Sequence, residues 1–199
     1  MKTAGRIFIE LIVVFIGVFS AFQLNDFRDR KRNDAIKINY YQSFQRELIQ
    51  ISGHNVKMRD SIIQVISMYE QAMEQKQLIP LRYLTGFNVI GEAPIVESAF
   101  NDEHFTSIGS YLLINISYGN QYFGWLKDKV DEYNRRVKDM LYGQDRSITA
   151  YYQTNGQLKP EYQWYLEELR TIVAMINELE RQIHEGAIPS TDQLIKSLE

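Results

Sequence analysis

Three stretches of this chain repeat apolar residues at intervals of three and four, alternating strictly in the first and third, a pattern that only packed helices can satisfy. The first runs through Tyr41, Phe44, Leu48, Ile51, Met58, Ile62, Val65, Tyr69 and Ala72, interrupted by the polar Asn55. The second holds Tyr122, Leu126, Val130, Tyr133, Val137 and Met140, and the third Tyr162, Tyr165, Leu169, Ile172, Ile176, Leu179 and Ile183. Residues so spaced share one helical face, and the first stretch is of coiled-coil type. Gly53 weakens the first stretch by about 1 kcal/mol relative to alanine. The phase carries across it, so a bend is expected there, with the helix ending near Gln77 ahead of Pro80. The second helix is expected to end at Gly143. The third is expected to open at Pro160 and close at Gly186.

The remaining segments read as connections and shorter helices. Leu78 to Ala93, with Pro80, Gly86 and Gly91, reads as a loop or hairpin, with strand-like Phe87, Val89 and Ile90. Pro94 fits the first turn of a helix from Ile95 to about Ser107, stopped by Gly109. Tyr111 to Ile114 reads as a short apolar link, and Gln144 to Lys159 as a polar connector. Ser190 and Gln193 suggest a capping box for a short terminal helix carrying Leu194 and Leu198. Several amphipathic helices must bury their stripes against one another. The expected fold is therefore all-α.

The N-terminus adds a second constraint. Leu11 to Phe22 is uncharged, and the apolar stretch extends from Ile7 to Leu24 with Glu10 and Gln23 as its strongly polar members. A helix over 7–24 spans roughly 27 Å, close to a ~30 Å hydrocarbon core. Lys2 and Arg6 precede it, and Arg28, Arg30, Lys31 and Arg32 follow, where long basic side chains reach back to the head groups. The expected architecture is a transmembrane helix running directly into a long amphipathic helix, which packs with two or three further helices as a bundle. Residues 1–6 form a short tail, 7–24 the anchor, 25–35 a basic juxtamembrane helix and 36–199 the bundle domain. Two other readings stay open: a signal peptide cleaved after Val18-Phe19-Ser20, and a buried helix of a soluble protein.

Glu10, Gly17 and Ala21 share one helical face with Val14, a small-xxx-small pattern that permits close packing of two membrane helices. Glu10 reads either as an intramembrane relay or as an interfacial partner of Arg6. Arg28, Arg30, Lys31 and Arg32 are candidates for contact with anionic lipid head groups. The positive-inside tally sets the amino group, Lys2 and Arg6 against Arg28, Arg30, Lys31, Arg32 and Lys37. Three against five nominally keeps the bundle in the cytoplasm.

Chemistry is sparse by comparison. There is no cysteine, so no thiolate nucleophile or disulfide framework exists, and a net charge of -3 lacks the basic surplus of a nucleic-acid binder. His54, His104 and His184 show neither His-x-x-x-His nor Glu-x-x-His spacing, and read as polar-face residues. Glu97, Asp102, Glu103 and His104 form an acidic cluster that reads as a solvated face or, alternatively, as a cation or general-acid site. The aromatic pairs Tyr40-Tyr41 and Tyr151-Tyr152, and the run Tyr162 to Tyr165, suit core packing, a membrane interface or a ligand groove.

These landmarks carry a resemblance. Glu10-Leu11-Ile12-Val13-Val14, then Gly17, Ala21, Gln23, Asn25 and Asp26, resembles the opening E-I-x-L-V-V-x-G-I-x-I-A-L-Q-I-N-N-W-N-E of a family of uncharacterised bacterial single-span membrane proteins. Phe27 stands where that pattern has tryptophan, and Ser20 and Phe22 replace aliphatic positions. Phe105 to Gly109 followed by Leu112-Leu113-Ile114-Asn115 is similar to the family's S-S-G-x-L-x-L-I-x-N. Leu126 to Asn134 is similar to L-x-x-x-L-x-x-Y-Y-N, after a longer connection than usual. The resemblance implies an inner-membrane protein with its C-terminal helical domain outside the cytoplasm, against the charge tally, and it implies no catalytic residue.

The expected function is a non-enzymatic, membrane-anchored interaction or scaffold module. Its expected partners are the lipid bilayer and a second copy or another membrane protein, with no nucleic acid, metal or cofactor. A ligand-sensing bundle and an enzyme using the acidic cluster are the alternatives.

Overall fold

The computed structural model describes residues 2–82, 84, 86–89, 110–142 and 147–199, and the backbone alone for 2–14, 110–117 and 120. The described residues form helices and connections, with one isolated antiparallel bridge between Tyr152 and Leu158 and no strand. Helix α1 is Lys2–Glu74, α2 is Ser110–Leu141, α3 is Trp164–Arg181 and α4 is Ile188–Leu198. At about 1.5 Å per residue, α1 is roughly 110 Å long, far longer than the bundle it belongs to. Helix α3 lies centrally, packed on both α1 and α2, while α4 packs on α1. The expected helical bundle is thus present. The projected helix at 95–107 and its Gly109 cap lie outside the described residues.

The stripe of α3 is buried throughout: Tyr162, Tyr165, Leu169, Ile172, Ile176, Leu179 and Ile183 are all in the core. On α1 the expected stripe is buried from Tyr41 to Ile62, and then the buried position becomes Ile66 instead of Val65. A straight helix has 3.6 residues per turn, so a 3.5-residue stripe drifts by about 20° per heptad until one extra step of four restores it. The first helix is therefore not a sustained heptad seam. Gly53 lies inside it without a break. On α2 the ends shift by one residue, with Phe123 and Leu141 buried in place of Tyr122 and Met140.

Helix α1 ends in a Schellman turn. The Gln77 N–H donates to the Ala72 carbonyl at 2.8 Å and the Lys76 N–H to that of Met73 at 3.1 Å. This places Lys76 in the left-handed region, φ 54, where glycine is usual. The segment that follows forms no hairpin among its described residues. Its described residues lie outside helix and strand, and the bundle supplies their partners. The Tyr69 hydroxyl donates to the Pro80 carbonyl (2.9 Å) and accepts the Arg82 N–H (2.7 Å), while the Tyr165 hydroxyl donates to the Arg82 carbonyl (2.9 Å). Tyr152 donates to the Ile79 carbonyl, Asn134 to that of Phe87 and His54 Nε2 to that of Asn88. An irregular backbone beside a core must have its polar groups paired, and side chains from α1, α2 and α3, with Tyr152 of the connector, pair this one. Leu81 and Val89 are buried in return.

Three expectations need correction. Tyr111 to Ile114 is not a link but part of α2. The connector before α3 is not simply polar: Tyr151, Tyr152 and Leu158 are buried, Gly156 takes φ 84 at its turn, and Pro160 opens a 3-10 turn, with the α-helix starting at Trp164. The last long helix does not close at Gly186. It passes through a π-turn, Gln182–Ala187, into α4. Pro189 has no N–H to give the carbonyl four residues back, and its ring crowds that carbonyl, which favours a widened turn. Ser190 consequently lies inside α4 and caps nothing, and no side-chain cap forms at Ala187. Gln45 of α1 anchors the junction instead, donating to the Ile188 carbonyl, to Thr191 Oγ1 and to Asp192 Oδ1 (2.7 Å).

Candidate functional site

Helix α1 enters the bundle only at Tyr40, its first buried residue; every described residue from 15 to 33 is exposed. On this projecting part Phe15, Ile16, Val18, Phe19, Phe22, Leu24 and Phe27 each expose more than half of their surface. At about 100° per residue they occupy most of the helix circumference. The remaining sector holds Gly17, Ala21 and Asn25. Gly17 has nothing within 4 Å of where a Cβ would stand, so that sector is open. Glu10 is on the same helix, but its side chain lies outside the described residues. Arg28, Arg30, Lys31 and Arg32 follow, all exposed, with the Lys31 ammonium 5.0 Å from the centre of the Phe27 ring. Among the described residues no helix is long and apolar enough to cross a membrane. The apolar stretch 7–24 straddles the limit of the described side chains, which begin at residue 15.

Within the bundle two polar groupings stand out. One lies where α2 meets α3. Arg136 Nη1 binds Glu168 Oε1 at 2.7 Å and its guanidinium stacks 4.5 Å from the Trp164 ring centre, while Lys129 approaches the same carboxylate at 3.8 Å. Tyr133 packs against Trp164, Tyr165 and Phe87. Burial raises the pKa of Tyr133 and of Tyr165, so both stay protonated. The aromatic runs are core residues, with Tyr40, Tyr41, Tyr151, Tyr152, Tyr162, Trp164 and Tyr165 all buried. Of these only Tyr152 borders a described cavity, the shallow one beside Lys76 and Leu78.

The other grouping joins α1 to the end of α3. Ser52 Oγ donates to Glu180 Oε2 at 2.8 Å and stands 3.2 Å from His184 Nε2, which is 3.5 Å from the same Glu180 oxygen. The residues are serine, histidine and glutamate, but the arrangement is not that of an acyl-transfer triad. One imidazole nitrogen faces both partners, whereas a triad needs the ring between them. Ser52 also lies within α1, whose N–H groups are committed to the helix, so no oxyanion donors face it. Sequence spacing did not single out this cluster, because Ser52 is 128 residues from Glu180. Only the i, i+4 relation of Glu180 and His184 was visible.

A shallow cavity of about 330 Å³ lies beside Lys76, Leu78, Tyr152, Gln153 and Gly156. The acidic cluster Glu97, Asp102, Glu103 and His104 lies outside the described residues. Among the described residues no three His, Cys, Asp or Glu side chains gather as a metal-binding group. The chain matches no family model, no curated protein and no solved structure.

Proposed function

We propose that this protein is a single-pass protein of the cell membrane whose helical bundle serves as a non-enzymatic interaction or scaffold module. The observation that carries the reading is the continuous band of exposed apolar side chains from Phe15 to Phe27, on a helix that runs unbroken into the bundle. Single exposed apolar residues are ordinary, but a contiguous band around a free helix calls for an apolar environment. Ile7 to Val14 continue the band in sequence, and the reading needs both halves to reach the thickness of a hydrocarbon core. The resemblance to the single-span family points the same way.

In this arrangement Arg28, Arg30, Lys31 and Arg32 stand at head-group level as ligands of anionic lipid. Residues 33–39 form a short stalk below Tyr40. Gly17 and Ala21 offer the sector through which a second copy or another membrane protein packs. The bundle is then held at a fixed distance from the bilayer by the helix itself.

The full chain is expected to stay with the membrane pellet after an alkaline carbonate wash. Ile16→Arg places a charge near the middle of the span, at a cost of about 2.5–3.5 kcal/mol, and should move a large share of the protein to the supernatant. Unaltered chain washing off freely would end the anchor reading. A mature N-terminus at Ala21 would replace it with a cleaved signal peptide.

A further inference from the structure

We infer that Ser52, Glu180 and His184 form a binding site for a divalent transition metal of the zinc type. Three donor atoms, Ser52 Oγ of α1, Glu180 Oε2 of α3 and His184 Nε2 of the π-turn, make a triangle with edges of 2.8, 3.2 and 3.5 Å. A tetrahedral ion with bonds of about 2.0–2.1 Å sets its donors about 3.3 Å apart. An ion seated over this triangle therefore meets all three donors with shifts of a few tenths of an ångström.

The electrostatics favour a cation. Glu180 is largely buried, at 16% side-chain exposure, and its Oε1 has no hydrogen-bond donor. Arg181 does not neutralise it, because its guanidinium is taken by Glu178 (2.7 Å) and leans toward Glu185 (3.7 Å). Among the described residues only His184 stands near it as an ion-pair partner. With an ion bound, the imidazole carries its proton on Nδ1 and gives the Nε2 lone pair to the metal. The Ser52 hydroxyl coordinates as a neutral ligand and gives up its hydrogen bond to Glu180 Oε2. His184 is half exposed, so the fourth position opens to water and the ion has an entry path. The π-turn, Gln182–Ala187, carries the imidazole to this place. With only two strong ligands the site is of modest affinity, and it prefers N/O-binding ions in a chain without thiolates.

The test is a Co²⁺ titration of the full chain in detergent micelles, read by its visible d–d absorption, followed by competition with Zn²⁺. The expected result is saturable binding with the intensity of tetrahedral Co²⁺, displaced by Zn²⁺. His184→Ala and Glu180→Gln should each weaken it at least about tenfold, and Ser52→Ala by less. Circular dichroism checks that the variants fold. Glutamine keeps the acceptor for Ser52, so it remains informative if the alanine variant unfolds. Absence of the spectrum, or a spectrum unchanged in Glu180→Gln, would show an interhelical hydrogen-bond network only and overturn the site.

Discussion

Lys76 is the residue most plainly at odds with its own backbone. It holds the left-handed position of the Schellman turn at φ 54, where a Cβ is crowded and glycine is not. Lys76→Gly should therefore stabilise the protein, by about 0.5–1 kcal/mol after the extra freedom of unfolded glycine is counted. A rise of roughly 2–4 °C in Tm per kcal/mol makes this measurable by thermal melting; a lower Tm would show that the lysine side chain contributes a contact worth more than the strain. The tyrosines give a second residue-scale prediction. Burial pushes Tyr40 up to about 12, with the Tyr41 and Glu47 charges adding to it, and burial likewise pushes Tyr152 to about 12. The unfolded chain gives up these protons near pH 10, while the folded chain keeps them. Their contribution is thus complete below pH 10 and is lost as pH rises toward 12. The urea midpoint should hold between pH 8 and 9.5 and fall at pH 11. An unchanged midpoint at pH 11 would contradict the burial of both rings.

The elements differ in how far their sequence announces them. The buried stripe of helix α3 was legible, though not the helix ends, because α3 lies between α1 and α2 and the stripe meets core along its whole length. The slip from Val65 to Ile66 in α1 was hidden by reading a 3.5-residue repeat through a 3.6-residue helix. What the sequence could not show is pairing over distance. The segment after α1 looks like a weak hairpin in isolation, and only distant partners, Tyr69, Tyr152 and Tyr165 together with Asn134 and His54, tie its described residues to the bundle. The junction of α3 and α4 failed for a related reason. Gly186 and Ser190 are stop and cap signals, yet the helix continues because α4 finds cover on α1, and Pro189 widens the turn instead of ending it. Gln45 is the tie across that junction, so Gln45→Ala should loosen α4 by about 1 kcal/mol, with the anchor and α2 unaffected. Hydrogen exchange should then accelerate in 188–198 and hold steady in 164–181. Equal acceleration in both would mean that α3 and α4 open as one unit.

At the scale of the whole molecule, the α1 stripe from Tyr41 to Ala72 is spent inside the chain's own bundle, against α3, α4 and the 78–89 segment. It is not free to zip two copies together, which leaves the projecting helix and its Gly17–Ala21 sector as the surface proposed above for a second copy. On the proposed single-pass reading, that helix is also the place to decide sidedness. The tally of three basic groups before the anchor against five after it favours a cytoplasmic bundle by a margin of two, while the family resemblance favours one outside. We expect the outside placement, because a margin so small is easily outweighed and the resemblance runs through landmarks along most of the chain. The stalk makes the test direct, since Arg28, Arg30, Lys31 and Arg32 are exposed trypsin sites between the anchor and Tyr40. Trypsin added to intact spheroplasts should cut there and release a helical fragment beginning near residue 33, soluble because its stripes are already buried. A chain that resists until the cells are lysed would place the bundle in the cytoplasm. In that case the charge distribution, and not the resemblance, would govern how this helix enters the membrane.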